Sequence, residues 1–151
     1  MLRAARFAAR LGFEVDPNLI GIMKQYAYEI TRVSKERWTA EIDKLLDSED
    51  VLSGIEVLYR TDLLKYILPE LHLAFEMDNN LILDVVEGIN EAETVDEKWA
   101  ALLYPIGLPV ARTKSKGEYK YTKHEVVRNE LLIGISQRLK FSNERTKCLP
   151  K

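Results

Sequence analysis

Apolar residues in this chain recur every three or four positions and almost nowhere every second one, which commits it to helices. The opening stretch shows the pattern best. Leu2, Ala5 and Ala9, with Phe7 and Leu11, keep helical spacing among residues that are nearly all strong helix formers. Arg3, Arg6 and Arg10 recur at the same spacing and form a basic stripe along one side. Gly12 ends the helix where a left-handed residue costs least. Phe13 and Val15 then turn inward, and Asp16-Pro17 opens a second helix as N-cap and first helical residue. A guanidinium row suits phosphate oxygens. The same stripe also suits an ordinary surface helix with solvated arginines.

The period holds along the chain. A second helix is expected from Pro17 to about Ile30, with Leu19, Ile20, Met23, Tyr26, Ala27 and Ile30 on one side. Ser34 caps a third, to about Leu46, that turns Trp38, Ile42, Leu45 and Leu46 inward. A fourth runs from about Asp50 to Tyr59, and a short fifth from Asp62 to Ile67 stops before Pro69. Leu71 to Asn80 breaks the period and ends in Asp-Asn-Asn, the mark of a boundary. Further helices are predicted over Leu81–Ala92, Asp96–Tyr104 and Thr122–Leu139, with a last piece capped by Ser142. Between them, Arg112 to Tyr121 is polar and basic: a loop, or a small hairpin at most.

Charge is unevenly spread. Residues 1–40 carry net +3, residues 41–100 net −12 and residues 101–151 net +7, for a total of −2. An acidic middle makes a poor general nucleic-acid binder, but the basic ends can still face a phosphate backbone. No apolar run approaches the roughly 18 residues of a membrane span. The lone Cys148 excludes an internal disulfide, and a cytoplasmic setting is expected.

The opening stretch resembles the region after the nucleotide-selecting motif of class II tRNA nucleotidyltransferases, the CCA-adding enzymes and their bacterial poly(A) polymerase relatives. There Glu-Asp-x-x-Arg runs into Arg-x-x-Arg-Phe, then Gly-Phe and Asp-Pro. Arg3, Arg6, Phe7, Gly12, Phe13, Asp16 and Pro17 match that continuation, while the Glu-Asp-x-x-Arg is not among the 151 residues. Arg32-Val-Ser-Lys-Glu-Arg37 is similar to the family's Ser-x-Glu-Arg motif. Ser34 can cap there, and Glu36 and Arg37 are expected in a structural role, with Arg37 reaching carboxylates of neighbouring helices. Thr61 to Leu71 resembles the close of the family's RNA-binding module, its apolar residues being core.

The second half resembles the HD domain that many such enzymes carry, which holds a divalent metal through histidines and a His-Asp pair. Here Gly88 stands where the first histidine is expected, and Tyr104-Pro105 stands where His-Asp belongs. Ile106-Gly107 and Pro109 match, but Leu108 replaces the usual lysine. His124 alone matches a ligand position, while His72 sits toward the first half. One histidine cannot build that site, so no metal and no metal-dependent phosphohydrolase activity are expected. Nor does the chain contain a Gly-Ser or Gly-Gly motif followed by paired aspartates, a P-loop or a dinucleotide fingerprint.

The expected architecture is all-α. Residues 1–70 form a short-helix neck and body, 71–80 a linker, and 81–151 a truncated, degenerate HD-like domain. The resemblance implies nucleotide binding at Arg3 and Arg6, which would hold the triphosphate of CTP or ATP, and contact of the body with the tRNA acceptor end. It implies no catalytic residue here and no bound cofactor, Mg²⁺ belonging to a catalytic head outside this sequence. The alternative is a stand-alone module that binds RNA or a protein partner. Leu131, Leu132 and Ile135, left partly uncovered by a cut HD core, would favour a homodimer.

Overall fold

A computed structural model describes residues 2–12, 14–115, 118–121 and 124–149, with side chains described outside 110–127. Its helices are α1 (Leu2–Leu11), α2 (Pro17–Gln25), α3 (Lys35–Leu46), α4 (Val51–Arg60), α5 (Leu63–Ile67) and α6 (Pro69–Met77). They continue as α7 (Leu81–Glu91), α8 (Val95–Leu102), α9 (Leu108–Ala111), α10 (His124–Arg138) and α11 (Asn143–Cys148). The fold is all-α apart from one hairpin. Its strands β1 (Arg112–Ser115) and β2 (Glu118–Tyr121) pair antiparallel with Arg112 opposite Tyr121, over the stretch read as a small hairpin at most.

Local chemistry sets the helix ends. Gly12 adopts φ +67°, the left-handed conformation that closes α1. Asp16 accepts the Asn18 amide at 2.8 Å, and Pro17 fills the first turn of α2. Ser34 and Ser142 accept from Arg37 and Arg145 at 3.3 and 3.2 Å and cap α3 and α11. The long second helix divides instead. α2 stops at Gln25 and a 3₁₀ segment, Ala27–Arg32, follows. Trp38 Nε1 donates to the Ile30 carbonyl at 3.1 Å, in the buried interior, and fixes that segment against α3. Ile20, Met23, Ala27 and Ile30 are buried as expected, but Leu19 and Tyr26 face outward. Phe13 lies outside the described residues.

α1 lies on α4 at very close range. Ala5, Ala8 and Ala9 are fully buried, and a Cβ placed on Gly54 would come within 2.8 Å of the Ala9 Cβ and 2.9 Å of Leu45. The Asp50 amide donates to the Ala9 carbonyl at 2.8 Å, supplying a partner for one of the last carbonyls of α1. With its alanines inward, α1 turns Arg3 and Arg10 to solvent.

Residues 71–77, read above as the start of a linker, form most of α6 and bury Leu71, Ala74 and Phe75 completely. The period is hard to see because α6 is short, with only Leu71, Ala74 and Phe75 of its nine residues buried. One apolar cluster runs from Leu2 to Leu149 through both halves of the chain. Leu102 of α8 meets Leu46, Leu68 and Leu71 around a space of only about 10 Å³. Polar ties reinforce the join. Arg138 donates to both Glu70 oxygens at 2.9 and 2.7 Å, and the buried Thr39 hydroxyl donates to the Leu139 carbonyl at 2.7 Å. Leu132 and Ile135, expected to be partly uncovered, are 3% and 0% exposed, and Leu131 packs against the same core. α10 closes over α9 and the 3₁₀ turn Tyr104–Gly107, so the face on which a homodimer was expected is filled from within the chain.

His72 of α6 packs on Tyr59 of α4, ring centroids 5.2 Å apart, with Nε2 3.3 Å from Glu76. Burial pushes its pKa below the ordinary value, against the opposing pull of Glu76 and Asp62. Its Nδ1 is buried without a hydrogen-bond partner, so a second ring N–H would find no acceptor.

Two predictions follow from this packing. Gly54→Ala gains at most about 1 kcal/mol of helix propensity but forces a methyl onto Ala9, an overpacking cost of about 1–3 kcal/mol. Its midpoint in urea unfolding falls, whereas Gly21→Ala, with nothing within 4 Å of its new methyl, raises it. For His72, the unfolded chain takes up a proton below about pH 6.5 that the folded state resists, so stability falls as pH drops through that value. Urea midpoints measured from about pH 7 down to about pH 5.5 decline less steeply in His72→Phe.

Candidate nucleic-acid interface

The outward side of α1 and the adjoining edge of α3 form two hollows. The larger, about 480 Å³, is lined by Arg6, Arg10 and Leu11 of α1 with Lys44, Asp47, Ser48 and Glu49 from the end of α3. The smaller, about 180 Å³, is lined by Leu2, Arg3, Ile30, Val33, Arg37 and Glu41.

Between them stands one ion pair. Arg6 Nε lies 2.7 Å from Glu41 Oε2, with the side chains only 16% and 11% exposed. Neither atom has a hydrogen-bond partner, because the N–H is not aimed at the oxygen. The contact is therefore Coulombic, and in a half-buried setting it is screened little by salt. The Arg6 guanidinium also sits 4.9 Å from the Phe7 ring centroid.

The sequence-derived residues thus receive different situations. Arg6 is anchored and lines the larger hollow. Arg3 is exposed, lines the smaller hollow, and joins no ion pair among the described residues. Ser34 caps α3 as expected, through its acceptance of the Arg37 amide. Glu36 and Arg37 are both exposed. Arg37 does not reach a carboxylate of a neighbouring helix among the described residues, and Glu41, one turn along its own helix, pairs with Arg6.

Arg10 and Lys44 complete the larger hollow. Arg10 belonged to the visible stripe, but nothing in the sequence signalled Lys44, which arrives only because α3 packs beside α1. The acids on the rim are partly neutralised: Lys98 Nζ donates to Asp47 at 2.9 Å.

Gly88, Tyr104 and Pro105, at the positions compared above with metal ligands, line a third hollow together with Asp84. The side chain of His124 lies outside the described residues. Among the described residues no group of three or more His, Cys, Asp or Glu side chains is placed to hold a metal ion, and no helix is long and apolar enough to cross a membrane.

An all-α body with arginines and a lysine set around recesses on one face is of the kind that engages phosphate. Comparison with known proteins agrees. Residues 12–75 match the family described as the probable RNA and SrmB-binding site of polymerase A. The chain is 28% identical over 157 residues to the multifunctional CCA protein of Pseudomonas syringae pv. syringae, covering 93% of this chain and 38% of that protein. It is 29% identical over 154 residues to that of Neisseria meningitidis serogroup C, covering 93% of this chain and 36% of that one. A 63-residue stretch is 40% identical to the CCA-adding enzyme of Limosilactobacillus fermentum, 42% of this chain and 16% of that enzyme. No solved structure matches significantly. The chain is thus similar to the CCA-adding enzyme and poly(A) polymerase family, the match to its RNA-binding region lying over residues 12–75. It spans less than two fifths of the length of each of these relatives, and α1 lies before the matched RNA-binding region.

Removing Arg6 would strand the buried Glu41 carboxylate. Arg6→Ala is expected to cost about 3 kcal/mol, the lower end for breaking a buried pair. Arg6→Ala with Glu41→Gln recovers a large part of that loss, both read as urea unfolding free energies.

Proposed function

We propose that this chain is the RNA- and nucleotide-binding portion of a tRNA CCA-adding nucleotidyltransferase, with catalysis carried by residues outside these 151. In this reading the acceptor end of tRNA runs along the α1–α3 face. Arg3 and Arg6, supported by Arg10 and Lys44, bind phosphates of RNA or of CTP and ATP. Guanidinium groups suit that role because they offer paired N–H donors to phosphate oxygens. Such contacts fix position and carry no base identity. Divalent Mg²⁺ belongs to the two-metal chemistry of the catalytic portion. The observation that carries the reading is the pair of hollows flanking the Arg6–Glu41 contact, with Arg3 in one and Arg10 and Lys44 in the other. The likeness to CCA proteins over nearly the whole chain supports the substrate class.

Binding is measured by fluorescence anisotropy with a tRNA transcript lacking its terminal CCA, over a salt series. Arg3→Gln, Arg10→Gln and Lys44→Gln are each expected to weaken binding and to lower the log–log salt slope by about 1. Glu36→Gln, a charge change at an exposed residue that lines neither hollow, leaves the slope unaltered or raises it slightly. With labelled CTP and ATP, tRNA and Mg²⁺, this chain alone incorporates nothing. Incorporation, or a salt slope indifferent to all three substitutions, would overturn the assignment.

A further inference from the structure

The hollow lined by Asp84, Gly88 and Tyr104 has a shape and charge unlike the basic face. It measures about 500 Å³ and is walled by Leu81, Val85, Ala100, Ala101 and Pro105 as well. That volume lies within the range of small-molecule sites, which are mostly apolar with a few polar groups. Small residues bring α7 and α8 close together beside it: a Cβ on Gly88 would stand 3.3 Å from the Ala101 Cβ.

Among the described residues, Asp84 is the one charged residue on its wall. Glu87 and Glu91 follow on α7 at spacings of three and four, so the three carboxylates share a side of the helix. All three are exposed, and none joins an ion pair among the described residues. Among the described residues Arg128, 8% exposed, lies over the Tyr104 ring at 5.3 Å. An anion entering here would meet Asp84, and a neutral apolar molecule would leave that carboxylate unused.

We infer that this hollow binds a small organic cation: an apolar ring or chain seated against Val85, Ala100 and Ala101, with its ammonium group at Asp84. The apolar body supplies affinity through surface removed from water. The carboxylate supplies the preference for positive charge, in an opening shielded from solvent on one side. This site is independent of the RNA reading, since none of its lining residues belongs to the α1–α3 face.

Titration of the full chain with tryptamine, followed by amide chemical shifts in two-dimensional NMR, tests the inference. Indole-3-propionate serves as the anionic counterpart and 3-methylindole as the neutral one. Tryptamine is expected to shift residues of α7 and α8 and to bind at least roughly tenfold more tightly than indole-3-propionate, a difference of about 1.4 kcal/mol. Asp84→Asn, at an exposed position, should erase that preference while leaving the 3-methylindole shifts in place. Ala100→Leu should abolish the shifts from all three, with circular dichroism confirming the helices. No shift at millimolar tryptamine, equal binding of cation and anion, or binding that survives Ala100→Leu would overturn it.

Discussion

The contact between Ala9 and Gly54 governs what α1 can present. Two helices approach this closely only where neither carries a side chain larger than a methyl group, and α1 meets that demand with Ala5, Ala8 and Ala9 fully buried. The consequence is rotational. An α-helix pressed down along its alanines must turn the residues between them outward, which places Arg3 and Arg10 in solvent and Arg6 at the edge. The Asp50 amide on the Ala9 carbonyl and the left-handed Gly12 then fix where the helix ends. The basic face therefore follows from a packing requirement on the opposite side of the same helix.

A second constraint joins the halves. Asp43 of α3 accepts from Trp99 Nε1 of α8 at 2.6 Å and from Arg145 of α11 at 3.0 Å, while Arg145 Nε donates to Asp96 at 2.7 Å. Arg145 also stacks near Trp99 and Phe141, at 5.7 and 5.2 Å from their ring centroids. These groups are mostly shielded from water, and removal of Arg145 would leave Asp96 without this partner and Asp43 with only the Trp99 N–H. With the bidentate Arg138–Glu70 pair and the apolar cluster that includes both Leu2 and Leu149, they make α3 the element that both halves share.

Much of this was legible in the residues. Helix starts depended on local side chains, so Asp16, Ser34 and Ser142 announced them correctly, and Gly12 announced a stop. Buried stripes such as Trp38, Ile42, Leu45 and Leu46 followed from period alone. The linker expectation over 71–80 failed because Leu71, Ala74 and Phe75 bury themselves against residues far along the chain, a fact no window of ten residues contains. The second helix divides at Gln25, and the 3₁₀ segment after it is held to α3 by the bond from Trp38 Nε1 to the Ile30 carbonyl. The uncovered face expected on α10 failed for the same reason, since α9 and the turn at Tyr104 close over it. At the candidate site, the arginine row was visible and its partners were not. Glu41 and Lys44 reach it from α3, thirty or more positions away.

The Arg6–Glu41 pair divides labour within that row. A guanidinium already held 2.7 Å from a carboxylate carries little net charge to a distance, so Arg6 adds little to the long-range attraction of phosphate. Its fixed position instead defines the wall between the two hollows. Arg3 and Arg10, exposed and outside ion pairs among the described residues, retain their full field and the freedom to follow a moving backbone. A phosphate that reached Arg6 would have to compete with Glu41, and the misaligned N–H makes that competition feasible, since no good hydrogen bond is lost. In the proposed reading the exposed arginines would capture phosphate and the anchored one would position it. That order follows from which of three similar side chains α3 happens to reach.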